Sequence, residues 1–214
     1  MANRPSPHWH ICGFVDVIED SFARLESAHL RNLRAICDVT RDFVEAHAGV
    51  DQVGQSFVAA LFDLLFVGCE VRMGQHHARS AVLPGDVQVG ADGAMWLWAE
   101  VTYTQVVTSE IQDFVNQVSG VGGDRAFYFA LRNHLYPQSI DHFHLKEHAA
   151  KDGISLMVYS SAEQALEDIL PVAAGSAGTL AVGLANRMLH RLHEAQVTGA
   201  LEEAWVRSIE DAAG

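Results

Sequence analysis

Apolar residues recur every three to four positions in the first part of the chain, and this spacing predicts amphipathic helices. The first is predicted as one long helix from Asp20 to Ala46. The second is predicted over residues 51–67, where Gly68 is placed to end it because glycine often follows a helix terminus. The chain is therefore expected to begin with a helical region.

The pattern changes after Gly68 to short runs of alternating apolar and polar residues, which predict strands. A first strand is predicted from Cys69 to Met73, followed by a loop over residues 74–85. Asp86 to Val89 and Met95 to Val101 are predicted to pair as a hairpin, since Asp92-Gly93 between them is a strong two-residue turn signal.

The remainder of the chain alternates between helical and strand patterns. Buried strands are predicted at Ala126–Leu131 and Ile154–Tyr159, because uninterrupted apolar runs are typical of a sheet covered on both faces. The predicted helices are Ser109–Val118, Ile140–Ala150, Ala162–Leu170 and one or two helices within Gly178–Ala212. This order predicts an α/β fold with a mixed β-sheet flanked by helices and with N-terminal and C-terminal helical additions.

The length of 214 residues suits one domain with one sizeable core. Within a single domain spanning 1–214, we expect an N-terminal helical region at 1–50, a core at 51–170 and C-terminal helices at 171–214. A hydrophobic fraction of 49% and a charged fraction of 19% indicate a packed globular protein.

The net charge of −13 argues against loose, sequence-independent binding to polyanions, which requires many lysines and arginines. Only Lys146 and Lys151 are lysines. A specific nucleic-acid site remains compatible with this charge, because arginines and metal ions can act locally within an acidic protein.

The three cysteines, Cys12, Cys37 and Cys69, show no CxxC spacing, so neither a disulfide framework nor a zinc knuckle is predicted. We expect buried thiols in a reducing compartment. The uncharged run Ile169–Ala185 contains Pro171 and is a poor membrane span, and the N-terminus lacks the apolar segment of a secretory signal. A cytoplasmic protein with no membrane partner is therefore expected.

Candidate chemistry lies on the predicted hairpin. Its geometry brings Asp86, at the start of the first strand, close to Glu100, at the end of the second. Two neighbouring carboxylates repel each other unless a cation lies between them. A hard divalent ion such as Mg²⁺, which binds carboxylate oxygens, is the expected occupant.

Side chains along the returning strand should alternate between the two faces of the sheet. One face is predicted to carry Trp96, Trp98, Glu100 and Thr102, and the other Leu97, Ala99 and Val101. Trp96, Trp98 and Phe127 are candidates for stacking on the bases of single-stranded nucleic acid. Packing on the sheet is the commoner role of strand aromatics, and we favour it.

Asp86, the hairpin and the sequence Glu100-Val101-Thr102 resemble the signature of PD-(D/E)XK nucleases, in which an acidic residue and a hairpin precede Glu-x-Lys. Residues 56–170 are similar to the SacI-type restriction endonuclease family. The similar features are a helix before the first strand, the ARSA loop followed by GDV, the EV strand, RAFYFAL and the late GISLMVYSS strand.

The resemblance implies a restriction-endonuclease-like core with Mg²⁺ as cofactor, held by Asp86 and Glu100. It implies a type II restriction endonuclease that hydrolyses phosphodiester bonds in double-stranded DNA. A homodimer is implied as well, since the family cuts both strands of a symmetric site.

The family's catalytic lysine position falls on Thr102, whose neutral hydroxyl cannot reproduce the charge of lysine. Losing one such preorganised contact costs on the order of 10²- to 10³-fold in rate. Candidates to compensate are Arg72, His76, His77, Arg79 and Gln105. The alternative hypothesis is a catalytically inactive relative that acts as a binding or assembly module.

A third hypothesis comes from residues 144–148, which fit the H-x-x-E-H pattern of inverted zinc peptidases. His144 and His148 would bind zinc, and Glu147 would act as the base. Glu202 or Glu203 is the candidate third ligand. With 12 histidines in the chain, a chance match is expected, and this hypothesis ranks last.

Overall fold

The computed structural model describes residues 20–25, 30, 32–74, 84–132 and 136–213. Its strands form one sheet and are β1 (Glu70–Met73), β2 (Val87–Ala91), β3 (Ala94–Thr102), β4 (Arg125–Ala130) and β5 (Ser155–Tyr159). The helices are α1 (Leu33–Ala46), α2 (Asp51–Leu65), α3 (Thr108–Gly120), α4 (His142–Lys151), α5 (Ala162–Ile169), α6 (Ala177–Glu194) and α7 (Gly199–Ala213), with a 3₁₀ turn at Leu170–Val172. The chain is thus α/β, with a mixed sheet flanked by helices, as the sequence pattern predicts.

The five strands lie in the order β1-β2-β3-β4-β5. Strands β1, β2 and β3 are antiparallel neighbours, whereas β4 and β5 run parallel to β3. The β2–β3 turn has positive φ at both Asp92 (53°) and Gly93 (81°), as a tight hairpin requires. Parallel strands need crossover connections, which α3 and α4 provide. The start of β2 therefore meets the ends of β3 and β4 at one edge of the sheet.

The two faces of the sheet bury cores of different size. The larger core packs α1, α2, α5, α6 and α7 against side chains of every strand, including Val89, Ala99 and Phe129. The smaller core packs α3 and α4 against Trp98, Tyr128 and other side chains of β3, β4 and β5. Within the described ranges, no helix combines the length and the apolar content that crossing a bilayer requires.

The prediction of one helix from Asp20 to Ala46 is wrong, because the chain leaves the helical conformation at Asn32. Asn32 has φ −98° and ψ 92°, and its side chain accepts a hydrogen bond of 3.2 Å from the Ala35 N–H. It is thus the N-cap of α1, a position that asparagine favours over a helix interior. Residues 20–25 form a separate helical segment.

The C-terminal pattern resolves into two helices, α6 and α7. Gln196, with φ 55°, lies in the left-handed region and follows the end of α6. The Val197 N–H then bonds the Leu192 carbonyl at 3.2 Å, which closes the helix terminus.

The cysteines are less buried than predicted. Cys37 and Cys69 are free thiols and are only half-buried. Burial is nonetheless the main reason that the pKa of Cys37 is raised to about 11, with a smaller contribution from Asp38. Cys12 lies outside the described residues.

Candidate functional site

Asp86 is held at the start of β2 by its backbone. Its N–H donates to the Ala99 carbonyl at 2.7 Å, and its own carbonyl accepts from the Gly74 N–H at 2.6 Å. The preceding Gly85 has φ +76°, and a Cβ there would lie 2.6 Å from the Ala99 carbonyl oxygen. Only glycine allows this close approach, so Gly85 sets the position of Asp86 beside β3.

The Asp86 side chain is also oriented by hydrogen bonds. Gln55 Nε2, on α2, donates to Asp86 Oδ1 at 2.8 Å. The Val101 N–H, on β3, donates to Asp86 Oδ2 at 3.0 Å. Gln55 is only 3% exposed, so its amide is itself held in place by the larger core. The carboxylate consequently has a defined direction, although Gln55 was not among the residues that the sequence pattern indicated.

Glu100 lies on β3 beside Asp86, so the structure brings the two predicted carboxylates together. The Glu100 carboxylate makes no hydrogen bond or ion pair with a described residue. Burial raises its pKa to about 7, with further contributions from the charges of Asp86 and Glu110. An anion in this position lacks compensation from the described part of the protein.

Glu110 is a third carboxylate at this edge, and the sequence analysis did not identify it. It lies in the first turn of α3, and its Oε2 accepts a hydrogen bond from the Val107 N–H at 3.2 Å. A glutamate three residues after a helix N-cap often makes such a bond. Only the packing of α3 on the sheet brings Glu110 near Glu100.

Glu100 and Glu110, but not Asp86, border a cavity of about 410 Å³ between the sheet and α3. Its lining residues are Glu100, Thr102, Thr104, Glu110, Asp113, Phe114, Gln117 and Tyr128. Acidic and neutral polar groups dominate this lining, which contains no described lysine, arginine or histidine. Such a cavity suits a cation or a neutral polar group and, without a cation, disfavours an anion.

Thr102 lines the cavity, and its hydroxyl is hydrogen-bonded to Thr104, just after the end of β3. Its Oγ1 is 2.9 Å from Thr104 Oγ1 and accepts a hydrogen bond from the Thr104 N–H at 3.2 Å. The structure thus gives Thr102 a local role at the end of the strand, and it supplies no positive charge.

The residues considered as substitutes for lysine do not reach the cavity where they are described. Arg72 is paired with Glu70 on β1, with N–O distances of 2.6 and 2.8 Å. Gln105 is exposed and is not a lining residue. His76, His77 and Arg79 lie outside the described residues.

Tyr128 is another lining residue that the sequence pattern did not indicate. It is the register partner of Glu100 in the parallel β3–β4 pair. The apolar run around it predicts a strand buried on both faces. That pattern gives no indication that the Tyr128 hydroxyl borders a cavity. Its ring packs against Phe114, with ring centroids 6.1 Å apart.

The predicted alternation along β3 holds for Trp98 but fails for Trp96. The β2–β3 register shifts between Val89 and Gly90, and Trp96 is the extra residue on β3. Its ring therefore packs on the larger core beside Phe66. Trp98 and Phe127 are buried in the smaller and larger cores. None of the three aromatics forms the exposed stacking surface that was considered.

The structure does not assemble the candidate zinc site. His144 and Glu147 are exposed on α4, which packs on the smaller core. The proposed third ligands lie on α7 at the larger core, where Glu202 is bonded to His193 and Glu203 to Arg24 and Arg207. In the part of the chain that the structure describes, no group of three His, Cys, Asp or Glu side chains could hold a metal ion.

The chain matches no protein-family model and no curated protein sequence. Assignment of a function therefore depends on the geometry of the cavity and on the resemblance in sequence.

Proposed function

We propose that this protein is a restriction-endonuclease-like enzyme that hydrolyses DNA phosphodiester bonds with Mg²⁺ bound by Asp86 and Glu100. The observation that carries the proposal is the proximity of these two carboxylates at one sheet edge, where the charge of Asp86 helps to raise the pKa of Glu100 and Glu100 makes no hydrogen bond or ion pair with a described residue. The acid–hairpin–Glu arrangement of the resembled nucleases agrees with this convergence. Cleavage of both strands at a symmetric site would favour a homodimer.

The residues at this edge fit a divalent cation. Mg²⁺ characteristically takes one or two carboxylates together with water and substrate phosphate oxygens, so two protein ligands suffice. Both oxygens of Glu100 are without described hydrogen-bond partners. The Asp86 carboxylate is held in a fixed direction by hydrogen bonds to Gln55 and to the Val101 N–H.

The chain itself orients and isolates the reacting groups. Gln55 and the Val101 N–H fix the direction of Asp86, and Gly85 fixes its backbone. When bound, a divalent cation supplies a Lewis acid and lowers the pKa of water. In the hydrolysis, a water oxygen forms a bond to phosphorus, the bond from phosphorus to one ester oxygen breaks, and that oxygen leaves as an alcohol with a proton.

A catalytically inactive binding or assembly module is the second candidate. The observation in its favour is Thr102, whose hydroxyl is bonded to Thr104 and whose position lacks the charge of lysine. Without that charge the attacking water and the scissile phosphate lose one electrostatic contact. A decayed site would retain the fold and the carboxylates without turnover.

The test is incubation of the purified protein with plasmid and phage DNA in Mg²⁺ or Mn²⁺, with chelator as control. We expect discrete, metal-dependent fragments and a loss of at least about 10²-fold in Asp86→Asn and Glu100→Gln, because each removes an anionic ligand. Glu147→Gln is the matched control, since this exposed glutamate lies on α4, away from the cavity.

Intact DNA at high concentration of a folded sample would contradict the nuclease and favour the inactive module. Thermal unfolding tests the cation site independently of cleavage. An increase in Tm on adding Mn²⁺ that disappears in Glu100→Gln would show that the cation site survives even where cleavage does not.

A further inference from the structure

Tyr128 is deeply buried, but its hydroxyl borders the cavity. The residue is only 3% exposed, it lines the cavity, and it is the direct neighbour of Glu100 across the β3–β4 pair. Its hydroxyl makes no hydrogen bond to a described residue. The hydroxyl oxygen is accessible from the cavity, so it can bond to a group that enters there.

The surroundings of the hydroxyl determine which role it can take. Burial is the main reason that the pKa of Tyr128 is raised, and the charges of Glu110 and Glu100 raise it further, followed by Tyr136 and Asp86. The hydroxyl is therefore protonated at neutral pH and can donate a hydrogen bond. Glu100, Glu110 and Asp113 line the same cavity, but the hydroxyl is hydrogen-bonded to no described residue, so it is available to donate to an oxygen that enters with a ligand.

The fold does not need this oxygen. The aromatic ring packs on Phe114, and a phenylalanine would make the same contact. On the same strand, Phe127 and Phe129 fill the larger core without a hydroxyl. A tyrosine at 128 adds only a donor at the cavity wall.

We propose that the Tyr128 hydroxyl binds DNA directly, by donating a hydrogen bond to a phosphate oxygen held in the cavity beside Glu100. This inference rests on the proposed function. It supplies a donor at the site where Thr102 replaces the lysine of the resembled family. The contact is one of binding and charge stabilisation, and Tyr128 transfers no proton. Thr102 and Thr104 remain bonded to each other.

The experiment compares Tyr128→Phe with Tyr159→Phe. Tyr159 is a buried tyrosine of the same sheet that packs in the larger core, on the opposite face, and so provides a matched control for loss of a hydroxyl. Three quantities are measured in each variant. They are the Mn²⁺-dependent cleavage rate, the affinity for a short DNA duplex in Mn²⁺ by fluorescence anisotropy, and the Tm increase that Mn²⁺ alone produces.

We expect Tyr128→Phe to lose roughly 10- to 100-fold in cleavage rate while keeping the Mn²⁺-induced Tm increase, because the carboxylates are unchanged. Tyr159→Phe should match the wild type in all three quantities. Wild-type cleavage by Tyr128→Phe, or equal losses in both variants, would overturn the proposal and leave the nuclease function standing.

Absence of cleavage by the wild type would refute the nuclease function, and duplex binding would then decide on Tyr128. At least a fivefold weaker Mn²⁺-dependent affinity in Tyr128→Phe alone would support the hydroxyl contact in a binding module. Equal affinities, or no duplex binding by the wild type, would overturn it.

Discussion

The two faces of the sheet differ in the partners of their charged side chains. On the larger face, the buried Arg191 of α6 is paired with Asp63 of α2 through N–O distances of 2.8 and 2.6 Å, and with Glu194 at 2.6 Å. On the smaller face, Glu100 is half-buried beside two further carboxylates and makes no hydrogen bond or ion pair with a described residue. The arginine of the larger face is thus paired with opposite charges, whereas carboxylates of like charge lie near one another at the edge of the smaller face.

The larger face contributes most of the stability, whereas the smaller face carries the proposed site. The larger core joins five helices to the sheet and supplies most of the buried apolar contact. It can therefore tolerate an unfavourable charge arrangement at the opposite face. Residues that violate local rules without a visible gain in stability are expected at functional sites, and we propose this role for Glu100.

The largest expected effect comes from breaking the paired charges of the larger face. Arg191 is only 7% exposed, so Arg191→Ala should lower the free energy of unfolding by about 3–5 kcal/mol, because Asp63 is left as an uncompensated buried charge. Urea denaturation measures the effect.

Two further variants sharpen this result. Arg207→Ala removes an exposed arginine that is paired with Glu203, and it should change the free energy of unfolding by less than about 1 kcal/mol. The double variant Asp63→Leu/Arg191→Met should recover most of the loss, because no buried charge is left unpaired. A double variant as unstable as Arg191→Ala would show that packing, and not charge, dominates at this position.

The next effect concerns the backbone that places Asp86. Gly85 and Gly122 both have φ +76°, but a Cβ at Gly122 would meet nothing within 4 Å. We expect Gly122→Ala to cost about 1 kcal/mol for the strained φ alone. Gly85→Ala should cost about 2–3 kcal/mol, because its Cβ also clashes with the Ala99 carbonyl oxygen.

Thermal unfolding of these two glycine variants measures both costs. Cation binding adds a second readout, since Gly85→Ala should weaken the Mn²⁺-induced Tm increase and Gly122→Ala should not. Equal destabilisation in the two variants would mean that the backbone at Gly85 adjusts without strain.

The smallest effect, and one of opposite sign, is expected at Glu100. Its pKa rises from the ordinary value of 4.5 to about 7 on folding, so the native state binds more protons than the unfolded state between these pH values. Stability must then fall as the pH rises through this interval. Without added cation, Glu100→Gln should be more stable than the wild type by on the order of 1–2 kcal/mol at pH 8.

This stability difference should shrink as the pH approaches 4, where the wild-type carboxyl is protonated in both states. Denaturation in chelator at pH 4, 6 and 8 checks the trend. A variant less stable than the wild type at pH 8 would show that Glu100 has a stabilising partner.

Much of the element order follows from local patterns in the sequence. The Asp92-Gly93 signal and the alternation around it predict the hairpin, and the structure has the turn at these two residues. The buried strands β4 and β5 are predicted within one or two residues, because long apolar runs have few alternatives in a covered sheet. Asn32 is the exception, since a cap interrupts an amphipathic pattern that continues on both sides.

Only part of the site was predictable from the sequence, because some of its residues come from segments far apart in the chain. Asp86 and Glu100 are joined by a hairpin, so the turn signal suffices to predict that they lie near each other, although the bulge at Trp96 shifts their register. Glu110 and Tyr128 join them only through the crossover of α3 and the parallel register of β3 and β4. Trp96 was assigned to the wrong face because a bulge inserts one residue and ends the alternation.

The sequence alone therefore determined most of the helices and strands, the hairpin and its two carboxylates, since each depends on side-chain periodicity or turn chemistry over a few residues. The tertiary structure decided which residues share the cavity and which charges are paired. Gln55 and Tyr128 are set beside Asp86 and Glu100 by packing between segments far apart in the chain, and no local pattern encodes that proximity.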